Sequence, residues 1–121
     1  MTAEKGEWKT EKTMLRLLYF STAQVFVTRN DVDEIAASSA VANKRQNVTG
    51  ALGYNGRNFC QVLEGEPRIV RALAEKIAKD DRHSGFKVIG ERTVTDRFFG
   101  EWSMRLIDDL DFDLLINAMR A

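Results

Sequence analysis

Hydrophobic positions along this chain change period several times, and each change marks an element boundary. Met14 to Ser21 (MLRLLYFS) is a short apolar run, too brief for an ordinary helix and closed by Ser-Thr; it predicts a first strand with Leu15, Leu17 and Tyr19 on one face. From Asn30 the spacing turns helical: an asparagine cap, Asp31, Asp33 and Glu34 in the first turn, then Val32, Ile35, Ala36 and Ser39 at helical intervals, ending near Asn43. Val48 to Tyr54 and Asn58 to Glu64 read as antiparallel strands joined by Asn55-Gly56, a dipeptide that tolerates the positive φ of a tight hairpin turn. Pro67 opens a second helix on which Ile69, Val70, Leu73 and Ile77 share a face. Phe86 to Val94 and Glu101 to Ile107 supply the last strands.

The order β-α-β-β-α-β-β predicts an α+β, ferredoxin-like fold: a five-stranded mixed sheet with two helices on one face. Strand alternation sends Leu18, Phe20, Cys60, Val62 and Ile107 to the opposite face, which needs cover. Residues 109–121 (DLDFDLLINAMRA) place Phe112, Leu115, Ile116 and Met119 on one stripe, so a short C-terminal amphipathic helix is expected across that face. Apolar surface left uncovered there would serve a homo-oligomer. Residues 1–13 are charged, with Trp8 as their one large hydrophobe, and read as an arm outside the 14–108 domain.

Composition narrows the function. The 121 residues suit one domain, and 18 Lys plus Arg balance 18 Asp plus Glu, so no basic field points to nucleic acid. One cysteine, Cys60, and one histidine, His83, exclude an internal disulfide and argue against a structural zinc site. No apolar run approaches the roughly 20 residues of a membrane span, and the N-terminus lacks a signal-peptide core. A soluble, cytoplasmic protein is expected.

Candidate chemistry centres on Gln61, an amide aimed from an otherwise apolar strand (NFCQVLEG) and in want of a partner. Tyr19 in LLYFS and the Trp102-Ser103-Met104 segment come from other strands and can converge on it. Each has an ordinary alternative. Gln61 alone is a sheet-edge or satisfied core amide, Tyr19 a packed aromatic, Asn43 a helix C-cap, Ser39 a small packing residue, and Arg82-His83 a solvated helix end. Trp102 and Met104 share strand parity, so either can face the site.

Taken together with Asp81-Arg82-His83, the Thr49-Gly50 strand start and the run Arg97 to Met104, these residues resemble the BLUF domain, the blue-light sensor that uses FAD; the likeness spans roughly Leu15 to Ile107. The resemblance implies a noncovalent flavin, FAD with FMN or riboflavin as substitutes, held between the two helices on the face carrying Tyr19, Gln61 and Met104. It implies that Tyr19 gives an electron and a proton, that Gln61 rearranges, and that a red-shifted state passes a signal to a partner before decaying in the dark. It implies Asn43 on the flavin ring, Arg82 and His83 near the ribose and phosphates, and Trp102 or Met104 inward. Ser39 is a possible partner of Trp102 or Gln61, and Phe59, Leu52, Val48, Ile35 and Leu73 are candidate walls. Because the sequence stops soon after the sensor, the output is expected to be a separate downstream protein reached through the tail and the Trp102-Met104 strand. The chain departs from the family at Ala42, where a second polar side chain is usual, at Gly53, and at Cys60, which leaves the second face expected to be less well filled. Two other readings remain: a cofactor-free interaction module, and a small enzyme like an acylphosphatase, against which stand a missing glycine-rich phosphate loop and the lack of a visible nucleophile and base pair.

Overall fold

The computed structural model describes residues 13–100, 102–107 and 112–121. The predicted arm thus lies outside the described residues except for Thr13, as do Glu101 and residues 108–111. The elements are β1 (Met14–Ala23), α1 (Arg29–Arg45), β2 (Thr49–Tyr54), β3 (Asn58–Gly65), α2 (Pro67–Ala78), β4 (His83–Val94), β5 (Arg105–Ile107) and α3 (Asp113–Ala118). They build a five-stranded sheet in the order β4-β1-β3-β2-β5, antiparallel except for the parallel β2–β5 pair. This is the ferredoxin-like arrangement with a fifth strand added at the β2 edge.

Several boundaries differ from the sequence reading. α1 is capped by Thr28, not Asn30: the Thr28 hydroxyl accepts from the Asp31 amide at 3.1 Å and the Asp31 carboxylate accepts from the Thr28 amide at 2.9 Å. Such a reciprocal box satisfies two otherwise orphaned amides, which outweighs a lone asparagine cap. α1 also runs past Asn43 to Arg45, so Asn43 is an interior helical residue and Gln46 forms the C-cap. β4 begins at His83, three residues before the predicted Phe86. β5 shrinks from the predicted Glu101 to Ile107 to Arg105–Ile107.

The sheet separates two cores. On one face Leu15, Leu17, Tyr19 and Leu63 pack against Val70 and Ala74 of α2, while Leu52, Tyr54 and Phe59 pack against Val32 and Ala36 of α1. On the other face Leu18, Ala51, Cys60 and Val62 meet Phe99, Phe112, Leu115 and Ala118, with Phe20 and Ile107 at the margin. α3 therefore covers the second face as the alternation requires.

Ile116 does not join that seam; it is 38% exposed. Phe112 sits ahead of α3 in the left-handed region, φ 58°, so its side chain is out of helical phase with Ile116. Gly53 does not leave the second face thin either. A Cβ there would lie 2.8 Å from Phe112 Cδ1 and 2.9 Å from Leu115 Cδ1, so α3 presses directly onto the β2 backbone.

Candidate functional site

Both helices and four strands contribute to one cleft on the helical face. Its walls are Ile35 and Ser39 of α1, Ile77 of α2, Leu52 of β2, Phe59 and Gln61 of β3, Tyr19 of β1 and His83 of β4, with Asp80 and Arg82 in the α2–β4 turn. The cleft measures about 470 Å³ with its open mouth included.

Strand register sets its floor. Tyr19 and Gln61 are Cα partners across β1 and β3, and Gln61 is in turn the partner of Leu52 on β2. Directly paired residues point to the same side of a sheet, so the ladder alone brings phenol and amide together. The Tyr19 hydroxyl donates to Gln61 Oε1, and Gln61 Nε2 donates to Met104 Sδ at 3.4 Å. A thioether carries lone pairs and no hydrogen, so it favours the amide nitrogen on its side and leaves the carbonyl for Tyr19. Burial pushes the Tyr19 phenol well above its usual value, reinforced by Cys60 and Asp80, so the hydroxyl keeps its proton in the resting protein.

Trp102 and Met104 part company. Trp102 packs on the second face, its ring 5.9 Å from Phe99 and under the Arg105 guanidinium at 4.2 Å, whereas Met104 packs on the helical face. Equal parity holds only in a regular strand, and Ser103 forms a bend just before β5. Two bonds fix this segment: Gly50 N–H donates to the Trp102 carbonyl at 2.9 Å, and Asn43 Nδ2 donates to the Ser103 carbonyl at 2.9 Å.

Of the residues predicted for a site, the cleft gathers Tyr19, Gln61, Ser39, Phe59, Ile35, Leu52, Arg82 and His83. Asn43 is buried behind it on Ser103, and Val48 and Leu73 belong to the α2 core rather than to the lining. No hydrogen bond joins Ser39 to Trp102 or Gln61 among the described residues. Arg82 is occupied by Asp80, with Nε on Oδ1 at 2.9 Å and Nη2 on Oδ2 at 2.5 Å. That hydrogen bonding holds the Asp80 carboxyl down at about 2.

Sequence reasoning missed Ile77 and Asp80 as lining residues. It also missed the buried partner of His83: Nδ1 lies 2.7 Å from Ser21 Oγ, and Nε2 lies 2.7 Å from the Ile77 carbonyl. Ser21 follows Tyr19 at the two-residue spacing of one strand face, a signal that was available, but the partner is 62 positions away. Cys60 faces the other core, where burial pushes its thiol up to about 12, as its parity opposite Gln61 predicts. Among the described residues no group of three or more His, Cys, Asp or Glu is placed to hold a metal, and no helix is long and apolar enough to cross a membrane.

Comparison with known proteins places this geometry. Residues 14–105 match the family described as BLUF, sensors of blue-light using FAD. The chain is 34% identical over 107 residues to the photoactivated adenylate cyclase subunit alpha of Euglena gracilis, which covers 86% of this chain and 10% of that protein. It thus spans about a tenth of the length of this curated relative. Among solved structures, BlrB, a BLUF protein in its dark state, superposes with a TM-score of 0.77 at 30% identity over 91% of this chain and 84% of that one. A bacterial light-regulated adenylyl cyclase gives 0.76 at 32% identity, over 88% of this chain and 33% of that one. By the match of most of its length to one family, and by a fold shared with its solved members, this chain belongs to the BLUF family of blue-light sensors that use FAD.

Proposed function

We propose that the cleft between α1 and α2 is where this chain holds its flavin, and that Tyr19, Gln61 and Met104 convert absorbed light into a change in hydrogen bonding. The observation that carries this reading is the continuous bonded chain from the Tyr19 hydroxyl through the Gln61 amide to Met104 Sδ, assembled from β1, β3 and the segment before β5. The lining suits the group chemically. Ile35, Leu52, Phe59 and Ile77 offer apolar walls to a planar ring. Gln61 has two amide hydrogens, and its one described bond through nitrogen, to Met104, uses one of them, which leaves a donor at the cleft wall for a ring nitrogen or carbonyl. Asn43 donates one Nδ2 hydrogen to Ser103, which leaves its second amide hydrogen and its Oδ1 for the ring.

Bound FAD supplies the blue-light absorption and, once excited, an electron acceptor. The protein's own part begins at Tyr19, which loses one electron and one proton together. The hydroxyl's only acceptor among the described residues is Gln61 Oε1, so that oxygen receives the proton. The amide then rearranges and reverses its donor and acceptor pattern toward the cleft, and electron and proton return to Tyr19. A rotated amide sets its oxygen against Met104 Sδ, two acceptors face to face, so the state relaxes in the dark.

Output follows the same contacts. Loss of the Gln61–Met104 bond removes the tie between the amide and the 102–104 segment, whose Trp102 packs beside α3 on the second face. α3 and this segment are the exit by which a partner protein, or a second copy of the chain, receives the signal. Dark and blue-illuminated absorption spectra test the sensor: a reversible red shift that is lost in Gln61→Leu and Tyr19→Phe is expected, and a protein that binds no added FAD sinks the reading. The exit is tested separately, because light-switched partner binding that survives deletion of residues 109–121 removes α3 from the route.

A further inference from the structure

We infer that His83 is a positioning residue for Tyr19, a neutral imidazole protonated on Nε2 that bridges β1 to the end of α2 and closes the side of the cleft on which the phenol lies. The inference rests on the reading of that cleft as the photochemical site, but its first test does not.

The tautomer follows from its two partners. A backbone carbonyl only accepts, so the nitrogen 2.7 Å from the Ile77 oxygen, Nε2, carries a hydrogen. At the other end, Nδ1 is 2.7 Å from Ser21 Oγ, a side chain with no solvent exposure. Nδ1 is that hydroxyl's only partner among the described residues, and a buried hydroxyl hydrogen needs an acceptor; Ser21 therefore donates and Nδ1 accepts. Both ring nitrogens are thus committed, in one direction each, and rotating the ring by half a turn would break both bonds.

The ring so fixed forms one side of an aromatic socket. Its centroid is 6.4 Å from that of Tyr19 with the planes at 72°, 5.9 Å from Phe86 at 73° and 6.3 Å from Phe59 at 78°. Phe86 lies at 4.6 Å from Tyr19, so the phenol is confined by Phe86 and by the imidazole that Ser21 and Ile77 hold. Edge-to-face contacts of this kind favour one ring geometry over its neighbours. Since the Tyr19 hydroxyl must aim at Gln61 Oε1, a ring pinned on its flank holds that aim while α2, whose Val70 and Ala74 are buried in the same core, stays at a fixed height above β1.

His83 is the chain's one histidine, so every imidazole signal of the protein belongs to it. A long-range ¹H–¹⁵N correlation spectrum of histidine-labelled protein, recorded in the dark, should show one pyrrole-like nitrogen at Nε2, one pyridine-like nitrogen at Nδ1 and a slowly exchanging Nε2 proton. The opposite tautomer, or a pair averaged by fast exchange, would overturn the bridge whether or not flavin is bound. The positioning role is read by dark recovery after blue light in the flavin-loaded protein. His83→Phe keeps a ring and loses both bonds, and should speed recovery roughly fivefold, the factor that about one net hydrogen bond represents. Ser21→Ala keeps the imidazole ring and its Ile77 bond but loses the Nδ1 partner, and should speed recovery by a smaller factor, about twofold. Unchanged recovery in both variants would show that the bonds do not position Tyr19. A protein that is colourless yet shows the Nε2–H tautomer defeats the flavin reading and leaves the bridge standing.

Discussion

Arg16 and Glu64 are Cα partners across β1 and β3 and meet in a 2.8 Å ion pair whose side chains are 3% and 0% exposed. The pair lies three positions along the same ladder from Tyr19 and Gln61, hence on the opposite face. Glu64 also accepts from Thr49 Oγ1 at 2.9 Å and from the backbone amides of Phe98 and Phe99 at 2.7 and 3.2 Å. Arg16 donates to the carbonyls of Ala118, Ala121 and Asp96. One carboxylate and one guanidinium thereby join the sheet, the β4–β5 connection and the end of α3. Glu64→Gln leaves the Arg16 charge buried without a counter-ion, and a loss of about 3–5 kcal/mol is expected in urea unfolding. An Arg16→Met, Glu64→Leu pair should regain only part of it, because the Phe98 and Phe99 amides then lose the side-chain acceptor that glutamine still supplies in part.

Met104→Leu keeps the volume and removes the sulfur that favours one Gln61 orientation. The rotated amide then faces a neutral hydrocarbon, and dark recovery, followed by flavin absorption, should slow by about two- to fivefold, as loss of one weak hydrogen bond implies.

Acid stability carries the mark of Asp80. Its folded-state value of about 2 is below the ordinary 3.8, chiefly through the Arg82 hydrogen bonds, so its stabilisation is full above 3.8 and is lost as pH falls through about 2. With 46% and 31% of the two side chains exposed, screening leaves at most about 1 kcal/mol. Asp80→Asn should flatten this acid limb in urea midpoints compared at about pH 5, above the window, and about pH 2.5, within it.

Alkaline pH acts through Cys60. Burial raises the thiol from 9.0 to about 12, so the folded state holds its proton where the unfolded chain releases it; stability is full below 9.0 and declines as pH rises toward about 12. Cys60→Val should remove this part of the alkaline slope in thermal melts.

Gly53→Val drives a side chain into Phe112 and Leu115, already at 2.8 and 2.9 Å from the position of a Cβ. Overpacking of this sort costs about 1–3 kcal/mol, and α3 should detach first, seen as faster proteolysis of the tail.

The elements legible in the sequence were those whose own residues repeat. β1, β2, β3 and α2 follow alternation or helical spacing within a few residues of their observed bounds, and the Asn55-Gly56 turn appears with Gly56 at φ 95°. Tyr19 and Gln61 were likewise legible, since parity fixes a face and the ladder fixes the partner. The start of α1 was misread although Thr28 and Asp31 carry the box spacing, because Asn30 offered a nearer cap. Parity failed at Trp102 and Met104, whose backbone is set by Gly50 and Asn43 rather than by local pattern. The Arg16–Glu64 and Ser21–His83 pairs span 48 and 62 positions, and polar residues on alternating strands announce nothing of such closure.

The Ser103 carbonyl rests on the side chain of Asn43 rather than on a neighbouring strand. A backbone ladder is indifferent to most substitutions, since every residue but proline brings the same donor and acceptor. A side-chain tether is heritable at a single codon. Replacement at position 43 can therefore loosen or tighten the segment that separates Trp102 from Met104 without disturbing the sheet. The pairing of the sheet and the seating of that segment are thereby encoded by different residues.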